Sequence, residues 1–186
     1  MRLFSAIVPP PNVLDHLEQA LDAVIPPRAG QRNPRMPRNT WHVTLAFYGD
    51  LPDALADGIA DDLADIARTY APFELALSGS GTFGGTMGWI GVGGATTTLK
   101  RLMTDAAGVL GGESEEESTG QRQHPHLTIS RKVRLAKLEP ALKALAVYRG
   151  PTWTVDALDL IESDLGHGVG GHPLYTTIAS VPLGSH

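Results

Sequence analysis

Two short strings in this sequence match each other. Residues 41–45 read Trp-His-Val-Thr-Leu and residues 125–129 read Pro-His-Leu-Thr-Ile, so His42 and His126 each open a His–apolar–Thr–apolar tetrad. Side chains alternate between the two faces of a β-strand, which sends His42 and Thr44 to one side and Val43 and Leu45 to the other. His126 and Thr128 stand in the same relation to Leu127 and Ile129. Each strand can therefore bury its apolar face and present an imidazole and a hydroxyl to a cleft. With 7 histidines in the chain, chance supplies only about 0.1 such tetrads, so a pair is a signal rather than an accident.

Two imidazoles facing one cleft can divide acid and base roles, because histidine titrates near neutral pH. Threonine hydroxyls donate hydrogen bonds to oxyanions, and an arginine holds phosphate through a charge-assisted fork. Arg131 stands five residues after His126, just past the second tetrad. These five residues suit metal-free phosphoryl chemistry with a bell-shaped pH dependence centred on neutrality. His124 and His126 sit at strand spacing, but with His167 or His172 they lack any Cys or carboxylate partner. No metal site is expected, and no cofactor.

The elements that must carry these groups follow from the apolar pattern. Leu3 to Val8 reads as a strand ended by Pro9–Pro11, and Asn12 can cap a helix running to about Val24. Trp41 to Tyr48 alternates as a strand, and Pro52 to Tyr70 is helical. Phe73 to Leu77 and Met87 to Val92 form strands around a Gly-rich turn, and Thr97 to Leu110 forms a helix. Further strands are expected near His126–Ser130, Thr152–Ile161 and Leu174–Val181, with a short helix near Leu135–Leu145. The order strand–helix–strand–helix–strand occurs twice, before about residue 80 and after 86, with no flexible linker between. This predicts an α+β chain, 1–186, forming a single domain of two similar halves, 1–80 and 86–183.

Composition narrows the rest. The chain has 186 residues, 42% of them hydrophobic and 19% charged, which suits a globular domain rather than a disordered one. It has no cysteine, so disulfides and thiol nucleophiles are excluded and a reducing cytoplasm is expected. The apolar run at Leu3–Val8 is too short for a membrane span or signal peptide. Net charge is −5, so contact with a polyanion must be local. Arg28, Arg32, Arg35 and Arg38 crowd the segment leading into His42, with no acidic residue between Ile25 and Asp50. They read either as a solvated loop or as a basic rim for RNA phosphates. Gly111–Gly120 reads as a solvated acidic loop.

Taken together, the opening Met1-Arg2-Leu3-Phe4, the run from Trp41 to Asp50, the run from Pro125 to Arg131 and Tyr175 near the last strand resemble the two-histidine phosphoesterases. Within these the match is to the RNA 2′,3′-cyclic phosphodiesterases, also called 2′-5′ RNA ligases, of LigT type. The resemblance implies a bilobal fold of two pseudo-symmetric halves, each an antiparallel sheet with flanking helices and the active-site cleft between them. It implies that His42 and His126 are catalytic and that Thr44, Thr128 and Arg131 bind phosphate. Its substrates would be RNA ends or nucleotides bearing a 2′,3′-cyclic phosphate, opened to a 2′-phosphate by a monomer without membrane contact. Relatives usually carry an aromatic residue three positions before the second histidine and an Arg two positions earlier, where this chain has Gln123 and Gln121. Two other activities fit the same residues: making or cleaving 2′-5′ linkages, and binding RNA ends without catalysis.

Overall fold

The computed structural model describes residues 1–27, 33–111, 113–114, 124–131 and 138–184. The first half runs β1 (Arg2–Ile7), α1 (Pro11–Val24), β2 (Val43–Asp50), α2 (Ala56–Arg68) and β3 (Phe73–Phe83). The second continues with β4 (Met87–Gly94), α3 (Thr96–Ala107), β5 (Glu113–Ser114), β6 (His126–Arg131) and α4 (Glu139–Ala144). It closes with β7 (Arg149–Val155), β8 (Ala157–Asp164) and β9 (Leu174–Pro182). The α+β class is as the periodicity predicts.

Several boundaries move for local reasons. Helix α1 begins at Pro11 with Pro10 as its N-cap and no side-chain cap, so Asn12 does not perform that task. Proline at the first helical position has the right φ and lacks only an N–H that would have no partner there. Strands β3 and β4 extend further than their apolar cores, because Gly84 and Gly85 (φ 56° and 68°) form the turn between them. The run Thr152–Ile161 splits in two, with the Asp156 carbonyl accepting the Leu183 N–H at the break. Of the expected acidic loop, the described residues 113 and 114 pair with β2 at Phe47 and Ala46. Gly111 ends a 3-10 turn over Val109–Gly111, while residues 112 and 115–120 of that loop, and Gln121 and Gln123, lie outside the described residues.

All pairings are antiparallel, in the order β7-β3-β4-β6-β2-β1-β8-β9, with β5 off this path against β2. The path divides at its middle into a wing β2-β1-β8-β9 and a wing β6-β4-β3-β7, joined by the pair Val43↔Leu127. The wings do not coincide with the stretches 1–80 and 86–183. Strand β3 of the first half pairs into the second wing, while β8 and β9 return to the first. Two helices cross as well, α1 packing on β7 and α3 on β2, whereas α2 stays with the first wing on β9. Breaking at Asp156 is what lets the chain leave the outer edge of one wing for the other.

Alternation along the strands separates two faces. Leu3, Ile7, Val43 and Leu45 on one wing, and Leu75, Ile90, Leu127 and Ile129 on the other, join a single core with the helices. Phe4, Ala6 and Ile161 point to the opposite face, where Phe47 and Tyr175 pack on them. That second face holds the site. Among the described residues, no helix is long and apolar enough to cross a membrane.

Two glycines give opposite expectations. A Cβ at Gly91, which pairs with His126, would lie 2.6 Å from the Ser78 carbonyl oxygen, so backbone must shift. Gly91→Ala should destabilise by roughly 1–3 kcal/mol, as overpacking does. Gly58, within α2, has nothing within 4 Å of its would-be Cβ. Gly58→Ala should stabilise by about 0.5–1 kcal/mol through helix propensity. Thermal melts of both variants check the pair; equal and small effects would contradict the close packing of β3 on β4.

Candidate active site

The two tetrads occupy the innermost strands of the two wings. Val43 is paired with Leu127 in antiparallel register, so His42 and Thr44 flank one member of the pair and His126 and Thr128 flank the other. His42 lies close enough to His126 and Arg131 for their charges to act on it. The register thus gathers two imidazoles and two hydroxyls into one patch on the cleft face.

Local structure then fixes each ring. His42 immediately precedes β2 rather than lying within it, after a single 3-10 turn over Arg38–Thr40. The Trp41 indole N–H donates to the Met36 carbonyl at 3.1 Å, and the Met36 N–H donates to the Ile129 carbonyl at 2.8 Å. The segment before the first histidine is thereby stitched to the strand that carries the second. The His126 Nδ1–H donates to the His124 carbonyl at 2.8 Å, which leaves the lone pair of a neutral ring on Nε2. A backbone hydrogen bond at Thr40 holds the His42 ring in the same two-residues-back relation.

Each imidazole is walled by aromatic rings. His42 lies 4.8 Å from the Phe4 ring and 5.2 Å from Tyr175, centroid to centroid. His126 lies 4.9 Å from Phe83 and 6.3 Å from Trp89, and His124 packs on Trp89 at 4.5 Å. Phe4 and Tyr175 enter the sequence reading only among the residues that carry the family resemblance, and Phe83 and Trp89 are not singled out in it; none reads as a wall residue, since single aromatics in strands carry no positional signal. Thr44 is buried; Thr128 is partly exposed, and its hydroxyl reaches the Met87 sulfur at 3.8 Å. Arg131 is exposed at the end of β6, and its positive charge acts on His42, His126 and Tyr175 together.

This environment changes the expected acid–base behaviour. Burial pushes the His42 imidazole down from its ordinary value to about 4, and the charges of Arg131 and His126 add to the fall. Burial likewise pushes His126 down to about 4, opposed by its bond to the His124 carbonyl and reinforced by His124 and Arg131. Both rings are thus neutral at pH 7. A pH optimum centred on neutrality therefore does not follow from the free histidines.

The basic rim is likewise revised. Arg28 and Arg32 lie outside the described residues. Arg35 is buried and bonded to Asp22 at 2.8 Å, while Arg38 holds Asp15 and Glu18 at 2.5 and 2.7 Å. The three acids sit on α1, distant in sequence but laid against the loop by the fold. Arg35 and Arg38 clamp the approach to His42; they do not form an open cationic surface. His167, a conceivable metal ligand by sequence, is bonded instead to Asp164 at 2.6 Å. Among the described residues, no three His, Asp or Glu cluster as a metal site.

Comparison with known proteins shows the family and the fold. A family model described as the 2′-5′ RNA ligase superfamily matches residues 9–167. The RNA 2′,3′-cyclic phosphodiesterase of Thermus thermophilus is 32% identical, the alignment covering 100% of this chain and 92% of that protein. The protein of the same name from Geobacillus stearothermophilus is 32% identical over 83% of this chain but 51% of its own length. The chain thus spans about half the length of that relative. Among solved structures, TT0787 of Thermus thermophilus superposes with a TM-score of 0.72 at 26% identity, covering 99% of this chain and 98% of that one. E. coli LigT complexed with NADP+ gives a TM-score of 0.70 at 21% identity, again over 99% and 98%, a likeness of fold.

The depressed histidines make stability pH-dependent, with a definite sign. In the unfolded chain each imidazole takes up its proton near pH 6.5, whereas in the folded protein it does so near 4. Between those values the unfolded state binds more protons, so this contribution is complete above pH 6.5 and is lost as pH falls toward 4. Urea unfolding of the wild type should therefore show a steeper loss of midpoint from pH 7 to 5 than His126→Gln. Parallel curves would mean that His126 is not desolvated as its walls imply.

Proposed function

The chain belongs to the 2′-5′ RNA ligase superfamily, and we propose that it opens 2′,3′-cyclic phosphate ends of RNA or nucleotides to 2′-phosphates, without a metal ion. The observation that carries this reading is the pairing Val43↔Leu127, which sets two His-x-Thr tetrads head to tail across one strand junction. The names of the relatives from Thermus thermophilus and Geobacillus stearothermophilus support the same reaction.

The chemistry assigns one task to each group. Water attacks phosphorus opposite the 3′ oxygen, and the bond from phosphorus to that oxygen breaks. His126 takes the proton from water at Nε2, the nitrogen its bond to His124 leaves basic. His42 gives a proton to the departing 3′ oxygen. The Thr44 and Thr128 hydroxyls donate to the non-bridging oxygens, and Arg131 offsets the charge that grows on them in the transition state. The products are a 3′ hydroxyl and a 2′-phosphate monoester; the one water consumed balances the equation.

His42 is neutral before substrate arrives, so its proton must be secured by the substrate. A bound phosphodiester anion favours imidazolium and raises the His42 pKa in the complex. The alkaline limb of kcat/KM, which reports the free protein, should fall below the ordinary histidine value. The limb of kcat, which reports the complex, should lie at higher pH. Coincident limbs would show that the anion does not protonate His42.

Single His42→Ala and His126→Ala variants should each lose at least ~10² in kcat. The double variant should be little worse than either, because the pair acts as a unit. Arg131→Ala should lose transition-state binding worth roughly 1.5–3 kcal/mol, and Arg131→Lys less. Turnover of a cyclic nucleotide in EDTA should equal that without chelator; loss in EDTA restored by zinc would replace this mechanism with a metal-dependent one.

A further inference from the structure

The two histidines differ in what lies beside them. His126 is 3% exposed and enclosed by Phe83 and Trp89. His42 is partly exposed and opens with Tyr175 onto a cavity of about 530 Å³. That size falls within the range of roughly 300–1,000 Å³ typical of small-molecule sites. None of His126, Thr128 or Arg131 lines the cavity. It leads away from the paired histidines, between the start of α1 and the strands β8 and β9.

Its walls are unlike a phosphate site. Val8, Pro9, Leu14 and Ile161 make most of its surface apolar. Arg38 reaches it, but its guanidinium is held by Asp15, Glu18 and the Pro11 carbonyl. The polar groups left are the Tyr175 and Thr177 hydroxyls and the Asn39 amide; Asn39 and Thr177 are exposed, and neither side chain is hydrogen-bonded to another described residue. Mainly apolar walls with a single amide suit a heterocycle. An amide offers an acceptor and donors together, the complement of a base edge.

Reaction geometry says which heterocycle. In a 2′,3′-cyclic phosphate the leaving oxygen and the nucleobase belong to the same ribose. The nucleoside must therefore lie on the side of the histidine that protonates the leaving oxygen, and only water is needed on the other. The structure has room for a nucleoside beside His42 and an enclosing wall beside His126. We infer that the cavity between α1, β8 and β9 is the nucleobase subsite, with Val8, Pro9, Leu14 and Ile161 forming the walls and the Asn39 amide reading the base edge. This rests on the reading of His42 as the acid.

The test compares adenosine 2′,3′-cyclic phosphate with the base-less methyl riboside 2′,3′-cyclic phosphate. The wild type should prefer the nucleotide in kcat/KM by at least ~10-fold, the scale of an apolar pocket. Thr177→Trp and, from another wall, Val8→Trp fill the cavity from exposed positions, and either should bring that ratio close to one. Asn39→Ala should narrow the spread of kcat/KM among the four cyclic nucleotides. No preference in the wild type, or a ratio that survives both tryptophan variants, would overturn the subsite. If neither substrate turns over, the proposed reaction fails, and calorimetry with adenosine 2′-phosphate and ribose 5-phosphate judges the cavity by itself. Preference for the nucleotide, lost in Thr177→Trp, upholds it; equal binding overturns it.

Discussion

One registered pair, Val43 with Leu127, holds the two wings of this protein together and sets the geometry of everything chemical in it. Because strand side chains alternate with period two, a slip of one residue by either strand at this junction would turn its own histidine and threonine into the core. The buried Val43, Leu45, Leu127 and Ile129 oppose such a slip, since it would expose them. The same apolar residues that stabilise the junction therefore define which way His42, Thr44, His126 and Thr128 face. The bond from Met36 to Ile129 ties the approach segment to the same place.

Around that junction the wings supply matching surroundings from unrelated residues. Phe4 and Tyr175 enclose His42, Phe83 and Trp89 enclose His126, and each ring is held by a backbone carbonyl two residues earlier. Removing water from an imidazole disfavours its charged form, and Arg131 nearby disfavours it further. The site thus presents two neutral rings and one permanent cation, a charge balance that favours an anion.

Symmetry ends at the outer edges. On the His42 side the prolines at 9–11 and helix α1 leave a cavity, and its arginine is already committed to carboxylates of α1. On the His126 side the β3–β4 hairpin closes over the ring. Gly81 permits that closure: a Cβ there would stand 2.3 Å from the Trp89 ring. A repeated fold thereby gives the paired histidines an open side and a closed side.

How much of this was legible beforehand depends on the range of each interaction. The tetrads, the α+β class and the separation of core from cleft face were readable because alternation is a local property of a strand. The pairing of residues 43 and 127 was not, since nothing within either string specifies its partner. Nor was the exchange of elements between wings: β3 and α1 read correctly as elements and β8 was merged with β7, yet each packs away from the half in which it occurs. The arginines show the limit most plainly. Between Ile25 and Asp50 the sequence holds no acid, which left a solvated loop and a basic rim as the two readings. Asp15, Glu18 and Asp22 reach Arg35 and Arg38 only because α1 folds back along the loop. Residue order alone settles which groups could do chemistry and which face of a strand each would take. Which groups meet, which charges are already neutralised and which histidine has room beside it are settled by the packed fold, because those depend on contacts between residues far apart in the chain.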